Sequence, residues 1–177
     1  DTVTFSGGDN VLSTGRGDDV VTSRGFANTV YLGDGDDVLD SRDSKATVEA
    51  GVGNDTLTLQ AFASLYDGGS GNDAFTESGF GNTLVGGKGD DTFAMAGAYG
   101  VGHGGDGNDT FAVRGFKASL DGGNGDDGFT VEGSEISVVG GNGNDTVLAK
   151  GFGHVLATGK GADRVDAVGS RFSIDTG

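Results

Sequence analysis

The sequence predicts an all-β protein: a flattened parallel solenoid with 18 residues per coil, nearly ten coils and two facing parallel sheets. Three observations predict it. A pattern of glycines and aspartates returns every 18 residues from end to end, without insertion or deletion. Glycine supplies 38 of 177 residues and proline none; this is about three times the ~7% glycine of average chains, and such density rules out long helices. Each period also holds two short runs that place an apolar residue among polar ones, as half-buried strands do. Abundant glycine with only 34% hydrophobic residues ordinarily gives disorder. Strict periodicity overturns that expectation, because stacked repeats bury a continuous core that no single repeat could.

Three columns define the first turn of each coil. Glycine stands at Gly15, Gly33, Gly51, Gly69, Gly87, Gly105, Gly123, Gly141 and Gly159. Two positions later it recurs at Gly17, Gly35, Gly53, Gly71, Gly89, Gly107, Gly125, Gly143 and Gly161. Two further on stand Asp19, Asp37, Asp55, Asp73, Asp91, Asp109, Asp127, Asp145 and Asp163, without exception. The glycines suit turns that need positive φ or close backbone approach. Two residues beyond each aspartate an apolar side chain begins a strand: Val21, Leu39, Leu57, Phe75, Phe93, Phe111, Phe129, Val147 and Val165.

The second turn is looser. It reads SRGFANTVY from Ser23 to Tyr31, ESGFGNTLV from Glu77 to Val85 and VRGFKASLD from Val113 to Asp121. Glycine recurs at Gly25, Gly79, Gly97, Gly115, Gly133, Gly151 and Gly169. An apolar residue follows at Val30, Val48, Tyr66, Leu84, Leu120, Val138, Leu156 and Ile174, with Gly102 the exception. Each coil therefore contains two turns and two strands, with one inward apolar residue per strand and a thin core. Stacked at about 4.8 Å, nearly ten coils reach roughly 47 Å. Asp1 and Gly177 fall in the same register, so residues 1–177 read as a single repeat domain that is either cut from a longer array or without dedicated caps. Neighbouring domains are expected on at least one side, because solenoid ends are open sheet edges.

The net charge of −16, from 27 acids and 11 bases, argues against nucleic acid and anionic membranes as partners. No apolar run approaches the ~18 residues of a membrane-spanning segment, so membrane insertion is not expected. Cysteine is absent, which removes disulfides and thiolate metal sites. His103 and His154 are 51 residues apart, not a multiple of 18, and so occupy different columns. No nucleophilic constellation forms, and the chain is not expected to be an enzyme. The acids are unevenly divided. The half-coils holding the aspartate column carry 18 acids and 4 bases, against 9 and 7 in the other half-coils. One edge of the solenoid is thus acidic and the other nearly neutral.

The stretches GGDGNDTFA (Gly104–Ala112), GGNGDDGFT (Gly122–Thr130) and GGNGNDTVL (Gly140–Leu148) resemble the nonapeptide repeat of RTX, or hemolysin-type, proteins. The resemblance covers one half of every coil. The first glycine of the motif is present at Gly68, Gly86, Gly104, Gly122 and Gly140, while Thr14, Leu32, Ala50 and Thr158 replace it, a departure that bears on turn geometry and affinity. The resemblance implies a parallel β-roll of a secreted bacterial protein, exported by a type I route, with calcium between consecutive loops. The column aspartates and the carbonyls of the two glycine columns would be the ligands. Nine loops enclose eight gaps, so roughly eight ions in one column are expected. Calcium accepts six to eight oxygens and takes backbone carbonyls together with carboxylates, which glycine turns and aspartates supply. Aspartates about 4.8 Å apart repel by roughly 0.9 kcal/mol in water and about 3.5 at an effective dielectric of 20. Summed over the column this rivals the ~5–15 kcal/mol that holds a typical domain together. Folding coupled to calcium is therefore expected, with the module stabilising or spacing adjacent domains.

The other edge carries the phenylalanine column Phe26, Phe62, Phe80, Phe116 and Phe152, interrupted at Ser44, Ala98, Ser134 and Ser170. Its expected role is local packing that closes the metal-free turn. A binding module for glycan or another surface, as in an adhesin, a surface layer or a polysaccharide-modifying enzyme, is the alternative. It would use an aromatic or basic groove near Arg24, Arg42, Arg114, Lys117 and Lys150. The tripeptide Arg16-Gly17-Asp18 belongs to the loop register and needs no adhesive reading.

Overall fold

The computed structural model describes residues 1–177 and contains no helix. Its strands form two parallel sheets of ten strands each. Odd strands, from Thr2–Gly8 to Arg164–Ser170, make the first sheet, and even strands, from Val11–Arg16 to Ser173–Asp175, make the second. Every pairing is offset by 18 residues, as in Val21 with Leu39, Phe93 with Phe111 and Leu120 with Val138. The period in the sequence is thus the register of the sheets. Successive coils lie directly above one another, and identical columns become ladders.

The core is the slab between the sheets. Phe75, Phe93, Phe111 and Phe129 stack face to face along it, with centroids 4.9, 4.5 and 4.9 Å apart. Facing them from the second sheet are Val30, Val48, Tyr66, Leu84, Leu120, Val138 and Leu156, all buried. Burial of each large side chain contributes about 1.5–3 kcal/mol. Gly102, the gap in that column, is explained by its neighbours. A Cβ there would lie 3.1 Å from Phe111 Cε1 and 3.4 Å from Met95 Sδ, so a ring and a thioether fill the space.

The slab is wider than one inward residue per strand. In the first sheet a second residue, two beyond the first, also turns inward: Leu59, Met95, Val113, Val131 and Ala149 are buried there. In three central coils the first-sheet strand shortens to four residues, at Thr56–Leu59, Ala74–Glu77 and Thr92–Met95. Single bridges through Phe62, Phe80 and Ala98 resume the pairing beyond them.

Candidate metal edge

The acidic edge is built by the glycine turns. Gly105 (φ 123°) and Gly107 (φ 137°) occupy a region that side chains avoid. A Cβ on Gly105 would also strike the carbonyl oxygen of Gly87 in the coil before. These turns point the aspartate column inward, and Asp37, Asp55, Asp73, Asp91, Asp109, Asp127 and Asp145 are at most 2% exposed.

Each carboxylate divides its two oxygens between different environments. Oδ1 accepts the N–H of the column aspartate in the preceding coil: Asp55 N–H to Asp73 at 2.7 Å, Asp91 to Asp109 at 2.8 Å, Asp127 to Asp145 at 2.9 Å. Oδ2 has no partner. From Asp19 to Asp163 all nine are buried and unsatisfied. A buried carboxylate oxygen without a donor or cation is costly, and here the cost recurs in every coil.

Electrostatics shows the same tension. Burial pushes the carboxyls of Asp55, Asp91 and Asp127 up to about 7 and those of Asp73 and Asp109 to about 6. Hydrogen bonds from the preceding coil oppose the rise, and neighbouring carboxylates add to it. Asp37 and Asp145 are raised for the same leading reason. No side-chain cation pairs with the column carboxylates, and only Asp19 has a positive partner, the amino terminus, which lowers its carboxyl. The unsatisfied oxygens and glycine-turn carbonyls fit calcium, a hard ion that accepts both kinds of oxygen. No three acidic or histidine side chains converge into a cluster. Carbonyls would therefore have to complete any coordination shell.

A second ladder runs outside the first and was not apparent from the sequence. Asp18, Asp36, Asn54, Asn72, Asp90, Asn108, Asp126 and Asn144 each offer Oδ1 to a backbone N–H in the following coil, at 2.6–3.0 Å. The inner column reaches back one coil and the outer column reaches forward. The available signal was the Asp or Asn immediately before the column aspartate in every loop but the last, where Ala162 stands.

The opposite edge differs from expectation in one respect. Phe26, Phe62, Phe80, Phe116 and Phe152 are 37–50% exposed and do not close the turn. They lie outside it, and Phe62 stacks on Phe80 at 5.5 Å with nearly parallel rings, so mainly ring edges meet solvent. Closure comes from the column two residues later. Asn28 and Asn82 accept the N–H groups of Asn10 and Ser64, and His154 Nδ1 accepts that of Ile136. Two buried acids also went unnoticed. Asp43 stands in the glycine column and accepts from Ser23, Asn28 and Ser41; Glu77 is the one acid in an inward column of apolar residues and two serines, and accepts from Gly79 N–H and Asn82. Each breaks its own column, which is the trace it leaves in the sequence. Of the bases on or near this edge, Arg114 pairs with Glu132 at 3.2 Å, Lys117 with Glu135 at 3.5 Å and Arg42 with Asp40 at 3.6 Å.

The profile of the RTX calcium-binding nonapeptide repeat matches four times, at residues 15–43, 23–57, 78–94 and 137–153. Together with two parallel sheets in an 18-residue register, the match supports an RTX-type parallel β-roll. The chain carries RTX-type repeats in a parallel β-roll. No curated protein and no solved structure matches this β-roll. It is a calcium-binding structural repeat by family, and the family is typical of secreted bacterial proteins.

Proposed function

We propose that this β-roll folds around calcium on its acidic edge and works as a structural module of a secreted bacterial protein, stabilising or spacing its neighbours. One observation carries the reading: nine aspartates in unbroken register, each with a buried, unsatisfied Oδ2. A backbone N–H at a turn needs only one neutral acceptor, and Asn82 supplies that on the other edge. An acid at every equivalent position of the acidic edge answers to something positive. Bound calcium would supply the missing positive charge and satisfy those oxygens. The column aspartates, from Asp19 to Asp163, and the carbonyls of the two glycine columns are the proposed ligands. With the ladder uncompensated, repulsion between neighbours and burial of charge oppose folding. Low calcium before export and millimolar calcium outside would then keep the chain extended in transit and fold it afterwards.

The test is a calcium titration of the metal-free chain at neutral pH, followed by circular dichroism, with magnesium as control. Calcium is expected to convert a disordered spectrum into a β spectrum. Magnesium is not, because it demands near-octahedral geometry and sheds water reluctantly. A full β spectrum in chelator at neutral pH would overturn coupled folding.

A further inference from the structure

The glycine that opens the motif differs from the two that follow it. Gly105 and Gly107 need positive φ, whereas Gly68, Gly86, Gly104, Gly122 and Gly140 all have φ values that any residue adopts. Backbone conformation therefore does not explain glycine at these five positions; space does. At each one, a Cβ would overlap Oδ2 of the aspartate in its own loop: Asp73, Asp91, Asp109, Asp127 and Asp145 respectively. The same point also lies close to a carbonyl of the next coil, 2.9 Å from Gly86 O at Gly68 and 2.7 Å from Gly104 O at Gly86. At Gly104 the corresponding distance is 2.5 Å, to Gly122 O. Such separations are far too short for carbon. In five gaps, then, a missing Cβ leaves an unsatisfied carboxylate oxygen and a carbonyl facing the same small space between consecutive coils.

The three remaining gaps are filled by the protein itself. Leu32 and Ala50 take the equivalent position with 0% exposure and belong to the hydrophobic core. Their carbon occupies what the glycines leave clear. Thr14 acts differently: its hydroxyl donates at 2.7 Å to Leu32 O, the carbonyl that corresponds to Gly104 O in the open gaps. That acceptor is already engaged. The aspartate column runs through all nine loops, but the space beside it does not.

We infer that the metal column is divided: the five gaps opened by Gly68, Gly86, Gly104, Gly122 and Gly140 take calcium, and the three headed by Thr14, Leu32 and Ala50 do not. The first glycine is the residue that decides occupancy, and the amino-terminal coils are held by apolar packing in place of metal. This inference rests on the calcium reading above and replaces the eight ions that counting loops implies with five.

Calcium bound to the whole folded chain, counted by native mass spectrometry and by equilibrium dialysis, tests it. Five ions are expected. Ala50→Gly should raise the count to six, and Gly104→Ala should lower it to four. Both substitutions are compatible with the backbone, since alanine and glycine each already occupy this position in other coils. A count other than five, or a count that neither variant shifts, overturns the division of the column. Zero ions on a folded chain overturns the calcium reading itself, so the two failures are distinguishable.

Discussion

At Ser64 and at Asp91 the backbone faces the same problem, an N–H at a turn with no strand partner, and the two edges answer it differently. On the neutral edge Asn82 Oδ1 accepts the Ser64 N–H at 3.0 Å, while its Nδ2 donates to Ala61 O and Glu77. Every polar atom of that amide is used. On the acidic edge Asp109 Oδ1 accepts the Asp91 N–H at 2.8 Å, and Oδ2 is left buried and unpaired. The neutral edge also tolerates Ala46, Ala118 and Ile136 in the accepting column, whereas the acidic edge admits only aspartate. A structural hydrogen bond can be lost coil by coil; the buried, unpaired carboxylate oxygen recurs in every coil of the acidic edge. The uniformity of one column and the variety of the other show that they serve different purposes.

The largest expected effect separates the edges by protons in place of metal. The raised carboxyls of Asp55, Asp73, Asp91, Asp109 and Asp127 bind protons more tightly folded than unfolded. Their contribution to the metal-free fold is therefore fully present below the ordinary value of 3.8 and is lost as pH rises through about 6–7. In chelator, the β spectrum absent near pH 8 is expected to return on acidification to about pH 5. Calcium affinity should weaken over the same interval, since protons and metal compete for one column. A metal-free spectrum indifferent to pH between about 4 and 8 would show that these carboxylates do not govern folding.

Next in size is Asp109→Asn. The substitution keeps an oxygen for the Asp91 N–H and removes the charge, giving the acidic edge the chemistry of the other. At least one calcium should be lost and the midpoint of calcium-driven folding should move to higher concentration, both read from a titration with metal counted. Unchanged stoichiometry would mean that the carboxylate serves only the hydrogen bond.

The reverse experiment is Asn82→Ala. It strands the buried Ser64 N–H and takes a donor from Glu77, so a loss of about 1–3 kcal/mol is expected in denaturant melts of the calcium-loaded chain. The ion count should stay the same. A changed count would couple the two edges and remove the distinction between them.

Much of this architecture was legible because stacking turns each sequence column into a spatial ladder. The period gave the register, Asp19 to Asp163 gave the acidic edge, and Val30 to Leu156 gave the core. What escaped depends on direction, which periodicity does not encode. Asp18 and Asp19 are adjacent acids in one loop, yet one column reaches forward a coil and the other back. The first and second glycines of the motif look alike, although one is required by space and the other by φ. Asp43 and Glu77 were invisible for the opposite reason: each occurs once, and a reading built on repetition averages single departures away.

Phe80 makes the final test of the neutral edge, because a phenylalanine beside a glycine reads the same whether its ring turns in or out. Its ring stacks on Phe62 at 5.5 Å, meets Tyr99 at a tilt at 5.1 Å and is 45% exposed. Truncation loses part of an aromatic pair and little buried area. Phe80→Ala should therefore cost no more than about 1.5 kcal/mol in a denaturant melt and leave the calcium count untouched. A loss of about 3 kcal/mol or more would be the signature of a buried ring, and closure of the turn would then belong to the phenylalanines. A small loss leaves closure with Asn28, Asn82 and His154, whose side chains take the backbone N–H groups of the coils before them. On that outcome the aromatic column is a surface feature of an edge that is already complete without metal.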